Sequence, residues 1–147
     1  MKMLLALFTA AILTSGPSVL PTPTLPCTCI DVPLQEHIAK TDVVFSGMVI
    51  AQDTVEVQFL PTEYSSTFKT KIEVRNTILS QGAYKGAVSD TVNVVTAASG
   101  AACGYSFTVG NTYLIYAYIR DGVLSTSICS ATKPLANAGA DLRLLTK

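Results

Sequence analysis

Apolar positions change their spacing several times along this chain, and each change marks an element. The first is an unbroken run, Met3 to Leu13, behind Met1-Lys2 and ahead of Thr14-Ser15-Gly16-Pro17-Ser18. A charged start, a short apolar stretch and a small-residue end is the order of a secretory signal peptide. The run is too short for a membrane anchor, and no later segment approaches the apolar length that a span needs. Gly16 and Ser18 supply the small residues that cleavage after position 18 requires, so residues 1–18 are expected to be removed. Pro21-Thr22-Pro23-Thr24-Leu25-Pro26 follows as a stiff, polyproline-like leader over 19–26. The folded domain is then expected over 27–147.

Pro33 opens a helical pattern from Leu34 to Lys40, with Leu34, Ile38 and the neighbouring Ala39 as its apolar stripe. Asp42 to Ile50 is β-branched and interrupted by Gly47, which predicts a strand with a bulge or sharp bend. Val55 to Leu60 and Phe68 to Leu79 read as further strands; in the second, Lys69, Lys71, Glu73 and Arg75 alternate with Thr70, Ile72 and Val74, the pattern of one wet face. Pro61 to Thr67 and Ser80 to Ser89 read as connectors. Val92 to Thr96 is a strand, and Ala97 to Gly104 a small-residue loop. Tyr113 to Ile119 and Val123 to Cys129 form a hairpin around Asp121-Gly122. Leu135 to Leu145 has helical spacing that Gly139 weakens. Five short antiparallel strands with flanking helices fit an all-β fold, a five-stranded Greek-key barrel of the OB type.

Composition sharpens this picture. With 49% hydrophobic and 14% charged residues, ten basic against ten acidic, the chain has no field to attract nucleic acid or anionic lipid. Export to a secreted, extracellular or periplasmic compartment changes the meaning of its four cysteines, Cys27, Cys29, Cys103 and Cys129. An even number in an oxidising compartment reads as disulfides. A Cys27 to Cys29 ring is strained. The two other pairings both tie the N-terminal segment to two distant loops, each closing roughly 75 to 100 residues and worth about 4 kcal/mol by loop entropy.

Catalytic chemistry finds little here. His37 is the single histidine, so neither a histidine metal cluster nor a well-supported Ser/His/Asp arrangement can be assembled. No phosphate loop or spaced carboxylate pair occurs. Cys27-Thr28-Cys29 could hold a soft metal only as thiolates, which an oxidising compartment removes. The expectation is a protein that is not an enzyme and carries no cofactor.

One constellation is more specific. Cys27-Thr28-Cys29, Thr41-Asp42-Val43-Val44-Phe45 and Tyr84-Lys85-Gly86 are followed by Val95-Thr96-Ala97-Ala98-Ser99-Gly100-Ala101-Ala102-Cys103-Gly104, then Val109-Gly110, Tyr113-Leu114-Ile115 and Ile128-Cys129. In order and approximate spacing this resembles the inhibitory domain of the tissue inhibitors of metalloproteinases, within the netrin-like domain family. The Cys-x-Cys start and the small-residue loop ending in Cys-Gly carry most of the resemblance, which covers roughly Cys27 to Pro134. It implies an OB barrel with bridges Cys27 to Cys103 and Cys29 to Cys129.

The resemblance also implies a mechanism. A catalytic zinc keeps one coordination position open, and inhibitors of this family fill it with the free α-amino nitrogen and the carbonyl oxygen of their first cysteine. Here that residue is Cys27, whose only metal would be the zinc of a target metalloproteinase. Thr28 would enter the specificity pocket, and Cys29, Ala98, Ser99, Ala101 and Ala102 would complete the protease-binding surface. Two departures stand beside this. Cleavage after Ser18 leaves Val19 to Pro26 in front of Cys27, and an amide nitrogen is a poor metal ligand. Four cysteines also leave no third bridge of the kind vertebrate members carry in this domain, and no second domain is expected. The alternative is a non-inhibitory extracellular binding or structural module on the same fold.

Overall fold

The computed structural model describes residues 27–59 and 69–147. The expected signal peptide, the leader and the loop Pro61 to Thr67 lie outside the described residues. Helix α1 spans Leu34–Lys40, and the strands are β1 Val43–Phe59, β2 Lys69–Lys85, β3 Thr91–Ala97, β4 Thr112–Arg120, β5 Val123–Ser125 and β6 Lys133–Pro134, followed by helix α2 Gly139–Leu145.

Strand pairing runs β1-β2-β3-β5-β4 and returns from β4 to β1, closing a ring of five strands, with β6 added to β4 outside it. All contacts are antiparallel except β3 with β5, where Val94 and Val95 lie parallel to Leu124 and Ser125. β1 is long because it does two jobs. Val43 to Met48 pairs with β4 on one side while the same stretch pairs with β2 on the other; the remainder pairs with β2. Three register shifts, between Val44 and Phe45, Ser46 and Gly47, and Val49 and Ala51, bend it around the ring. Gly47 is needed at the middle one, because a Cβ there would meet the Leu79 carbonyl oxygen at 2.9 Å.

β4, Tyr-Leu-Ile-Tyr-Ala, is buried on both faces. Tyr113, Ile115 and Ala117 point into the ring with Val43, Phe45, Val49, Ile78, Val94 and Phe107. Leu114 and Tyr116 face outward with Val44 and are covered by Leu34 and Ile38 of α1, by Ala138 and by Leu142 of α2. An unbroken apolar run is what a strand covered on both sides requires. Beneath α2, the Tyr116 hydroxyl donates to Asp141 at 2.8 Å and Lys133 Nζ to the same carboxylate at 2.9 Å. Burial first, then that hydrogen bond, pushes the Tyr116 phenol far above its usual range.

Helix α1 has the predicted span. Its last carbonyls are taken up from outside: Lys85 Nζ donates to Ile38 at 2.7 Å, to Ala39 at 3.0 Å and also to Thr41, so β2 caps the helix. Ala39 is exposed and takes no part in the apolar stripe.

Several sequence-based expectations are corrected. Asp42 to Ile50 and Val55 to Leu60 are parts of one strand through Phe59, because bulges let the chain bend without a turn. The connector from Ser80 begins only after Lys85, since Ser80 to Lys85 still pairs with β1. The hairpin partner stops at Ser125, beyond which the chain turns toward Cys129. The C-terminal helix is broken into a 3-10 turn, Leu135–Asn137, and α2 at Gly139. The sheet has six strands rather than five, the additional one being the two-residue β6.

Candidate functional site

The segment Cys27-Thr28-Cys29 has no regular secondary structure and is fastened at both ends by sulfur. Cys27 is bonded to Cys103 and Cys29 to Cys129, each with Cα atoms 5.2 Å apart, across 76 and 100 residues of chain. These bonds bring the N-terminal segment beside the loop after β3 and the loop after β5.

The loop after β3 is built by small residues. Gly100–Ala102 forms one 3-10 turn, entered from Ser99 and left through Cys103 in the left-handed region at φ 61°. The Ala102 amide donates to the Ser99 carbonyl at 3.1 Å and to its hydroxyl at 3.3 Å, and the Gly104 amide donates to the Ser99 carbonyl at 2.9 Å. Ala98 is anchored to Ile72 of β2 at 3.2 Å, while the Tyr105 amide donates to the Thr96 hydroxyl at 2.8 Å. The loop is thus tied to the sheet at both ends while Ala98, Ser99, Gly100, Ala101 and Ala102 remain exposed. Short side chains there leave the backbone itself accessible.

Gly104 is buried, and a Cβ at this position would strike the Ala97 carbonyl and lie 2.9 Å from the Ser99 carbonyl oxygen. Gly104→Ala is therefore expected to lower stability by about 1–3 kcal/mol and to displace Ser99. Denaturant unfolding checks the first effect, and amide exchange at Ala102 and Gly104 the second.

Every residue singled out in the sequence for this surface lies on these segments: Thr28, Cys29, Ala98, Ser99, Ala101 and Ala102 are exposed and Cys27 is half-buried. His37 is elsewhere, half-buried on α1. Sequence reasoning missed two neighbours. Ile30, 86% exposed, follows Cys29, and Ile128, 45% exposed, precedes its partner Cys129. An apolar residue beside a bridged cysteine carries no periodic signal, so only the bridge reveals that the two share one edge.

A cavity of about 310 Å³ lies behind the loop, with Asp53, Val74, Ser99, Tyr105 and Phe107 among its walls. Tyr105 stacks against Phe107 with ring centroids 4.7 Å apart and meets Tyr113 edge-on at 6.0 Å. Burial, reinforced by Tyr113, pushes the Tyr105 phenol up to about 12, so it stays neutral at physiological pH. The edge is a shaped, weakly charged surface of small residues and two isoleucines around sulfur bridges. Its geometry suits docking against another protein.

Comparison with known proteins agrees with this architecture. The family model described as tissue inhibitor of metalloproteinase matches residues 26–142. No curated protein matches the chain. The match begins one residue before Cys27 and runs through both bridges, the strand ring and into α2. By that extent of agreement, the chain belongs to the tissue inhibitor of metalloproteinase family.

Proposed function

We propose that this protein is a secreted inhibitor of a zinc metalloproteinase and that residues 27–30, 98–102 and 128 form its docking edge. The observation that carries the reading is the pinning of Cys27-Thr28-Cys29 against the Ala98 to Ala102 loop by two bridges, in a chain of this family. The ring of five strands is, in this reading, a barrel of the OB type. Among the described residues no helix is long and apolar enough to cross a membrane, which agrees with an exported protein.

The chemistry follows from the edge. The zinc of the target has one open coordination position, and the Cys27 α-amino nitrogen and carbonyl oxygen occupy it together. Ligation requires the neutral amine, so binding releases its proton. Thr28 enters the adjacent specificity pocket, with Ile30 and Ile128 widening the apolar contact. An edge already fixed by bridges and loop hydrogen bonds loses little conformational freedom on docking.

The second reading, a binding or structural module without inhibitory activity, is favoured by one feature of the sequence. Val19 to Pro26 precede Cys27, and while they remain attached the Cys27 nitrogen is an amide. Intact mass and N-terminal sequencing of the exported, non-reduced protein separate the two. A start at Cys27 together with tight inhibition of a zinc endopeptidase supports the inhibitor. A start upstream, with no inhibition, leaves the module. Within the inhibitor, Thr28→Gly is expected to weaken the complex by about 1–3 kcal/mol through lost pocket burial, read as a rise in the inhibition constant. An unchanged constant removes Thr28 from the pocket.

A further inference from the structure

We propose that reduction of the two bridges converts the N-terminal knot into a thiolate site for a zinc-class ion held by this chain itself. The Sγ atoms of Cys27, Cys29 and Cys129 all lie within 4.8 Å of one another. Cys103 Sγ is bonded to Cys27 and is the fourth candidate ligand. Zinc–thiolate bonds of about 2.3 Å place tetrahedral sulfurs about 3.8 Å apart. The cluster therefore has to contract by about 1 Å, within the reach of side-chain rotation.

What makes the site more than a consequence of the bridges is that two of its three segments are held together without sulfur. The Ile128 amide donates to the Cys103 carbonyl at 3.0 Å, the Thr126 amide to the Val95 carbonyl at 3.0 Å and the Cys129 amide to the Ser127 hydroxyl at 3.2 Å. Cys103 and Cys129 thus remain neighbours when their bridges open. The third segment is tethered a few residues downstream, where Leu34 and Ile38 of α1 pack on the core. Cys27 and Cys29 stay on a short leash above the other two.

The redox step balances simply. A dithiol reductant delivers two electrons and two protons to each bridge and is itself left as a disulfide; four thiols result. Ion binding then expels thiol protons to solvent, because the thiolate is the ligand. Soft sulfur donors select zinc-class ions over magnesium or calcium. The proposal is independent of protease inhibition, and its test uses no protease.

The test treats the full exported chain with a phosphine reductant, which takes its oxygen from water and becomes the phosphine oxide. Cobalt(II) alone is then titrated in as the spectroscopic probe, and zinc is added to displace it. The expected result is one cobalt per chain with sulfur-to-cobalt charge-transfer absorption and tetrahedral ligand-field bands, abolished by zinc. The melting temperature of the reduced protein should rise with zinc concentration, since an ion that binds the folded form stabilises it. Cys129→Ser should lose both the bands and the rise. Absence of the bands overturns the proposal. So do bands without a rise in melting temperature, which would mean capture by the unfolded chain, and a Cys129→Ser protein that behaves like the parent.

Discussion

Blocking the α-amino group of Cys27 is expected to abolish inhibition while leaving the fold unchanged. In a chain that begins at Cys27, acetylation or a single added alanine turns the amine into an amide, whose nitrogen lone pair is delocalised into the carbonyl. The zinc bond is lost and the extra atoms occupy the metal's open position, so both effects act against the complex. A loss of about 4 kcal/mol or more, at least roughly a thousandfold in the inhibition constant, is expected. The measurement is an inhibition titration of the free and blocked chains against one zinc endopeptidase, with melting curves in parallel. Equal inhibition by both would remove metal ligation from the mechanism. Cys27 is only half-buried at the end of its bridge, so the modification disturbs no packed core and the melting curves should superimpose.

The second large effect concerns stability. Replacing Cys29 and Cys129 together by serine opens a loop spanning 100 residues. Loop-entropy arithmetic gives about 4–5 kcal/mol for a closure of this length, a large share of what an ordinary domain has in total. Denaturant unfolding of the double variant against the parent checks it. The ring of strands needs neither cysteine for its pairing, because neither residue belongs to a strand. The expected product is therefore a less stable domain with native strands and a loosened N-terminal segment. Loss of all β structure in the absence of denaturant would show that the bridge is required to fold, not merely to stabilise. Selective reduction by a mild thiol should give the same loosened segment, which limited proteolysis near Ile30 would detect.

Much of the fold is legible in the sequence because its signals are local. The α1 helix is marked by Pro33, and its span needs nothing beyond its own residues. The β4 to β5 hairpin is marked by Asp121-Gly122, both at positive φ in the structure. The extent of β1 and β2 is not local. Bulges at Gly47 and near Ile50 resemble turns in a sequence, and only pairing on both sides shows the strand continuing. β6 is equally hidden, because two residues carry no periodicity. Pro134 is tolerated there at the end of a strand outside the ring, where a missing amide costs little. The candidate edge was visible through its cysteines and its run of small residues. Ile30 and Ile128 were not, since their neighbourhood exists only after bonds across the chain are made.

The span of those bonds also sets an order of events. A ribosome releases Cys27 and Cys29 first, Cys103 after 76 further residues and Cys129 after 100 from Cys29. The residues that form the edge at the front of the chain are thus the last to be fixed in place. Until the end of synthesis, two neighbouring thiols wait without their native partners and are open to an oxidant that would join them to each other or to another chain. Maturation of this protein is therefore a problem of timing, and an isomerase that reshuffles early bridges should raise its yield more than a chaperone that shields apolar surface.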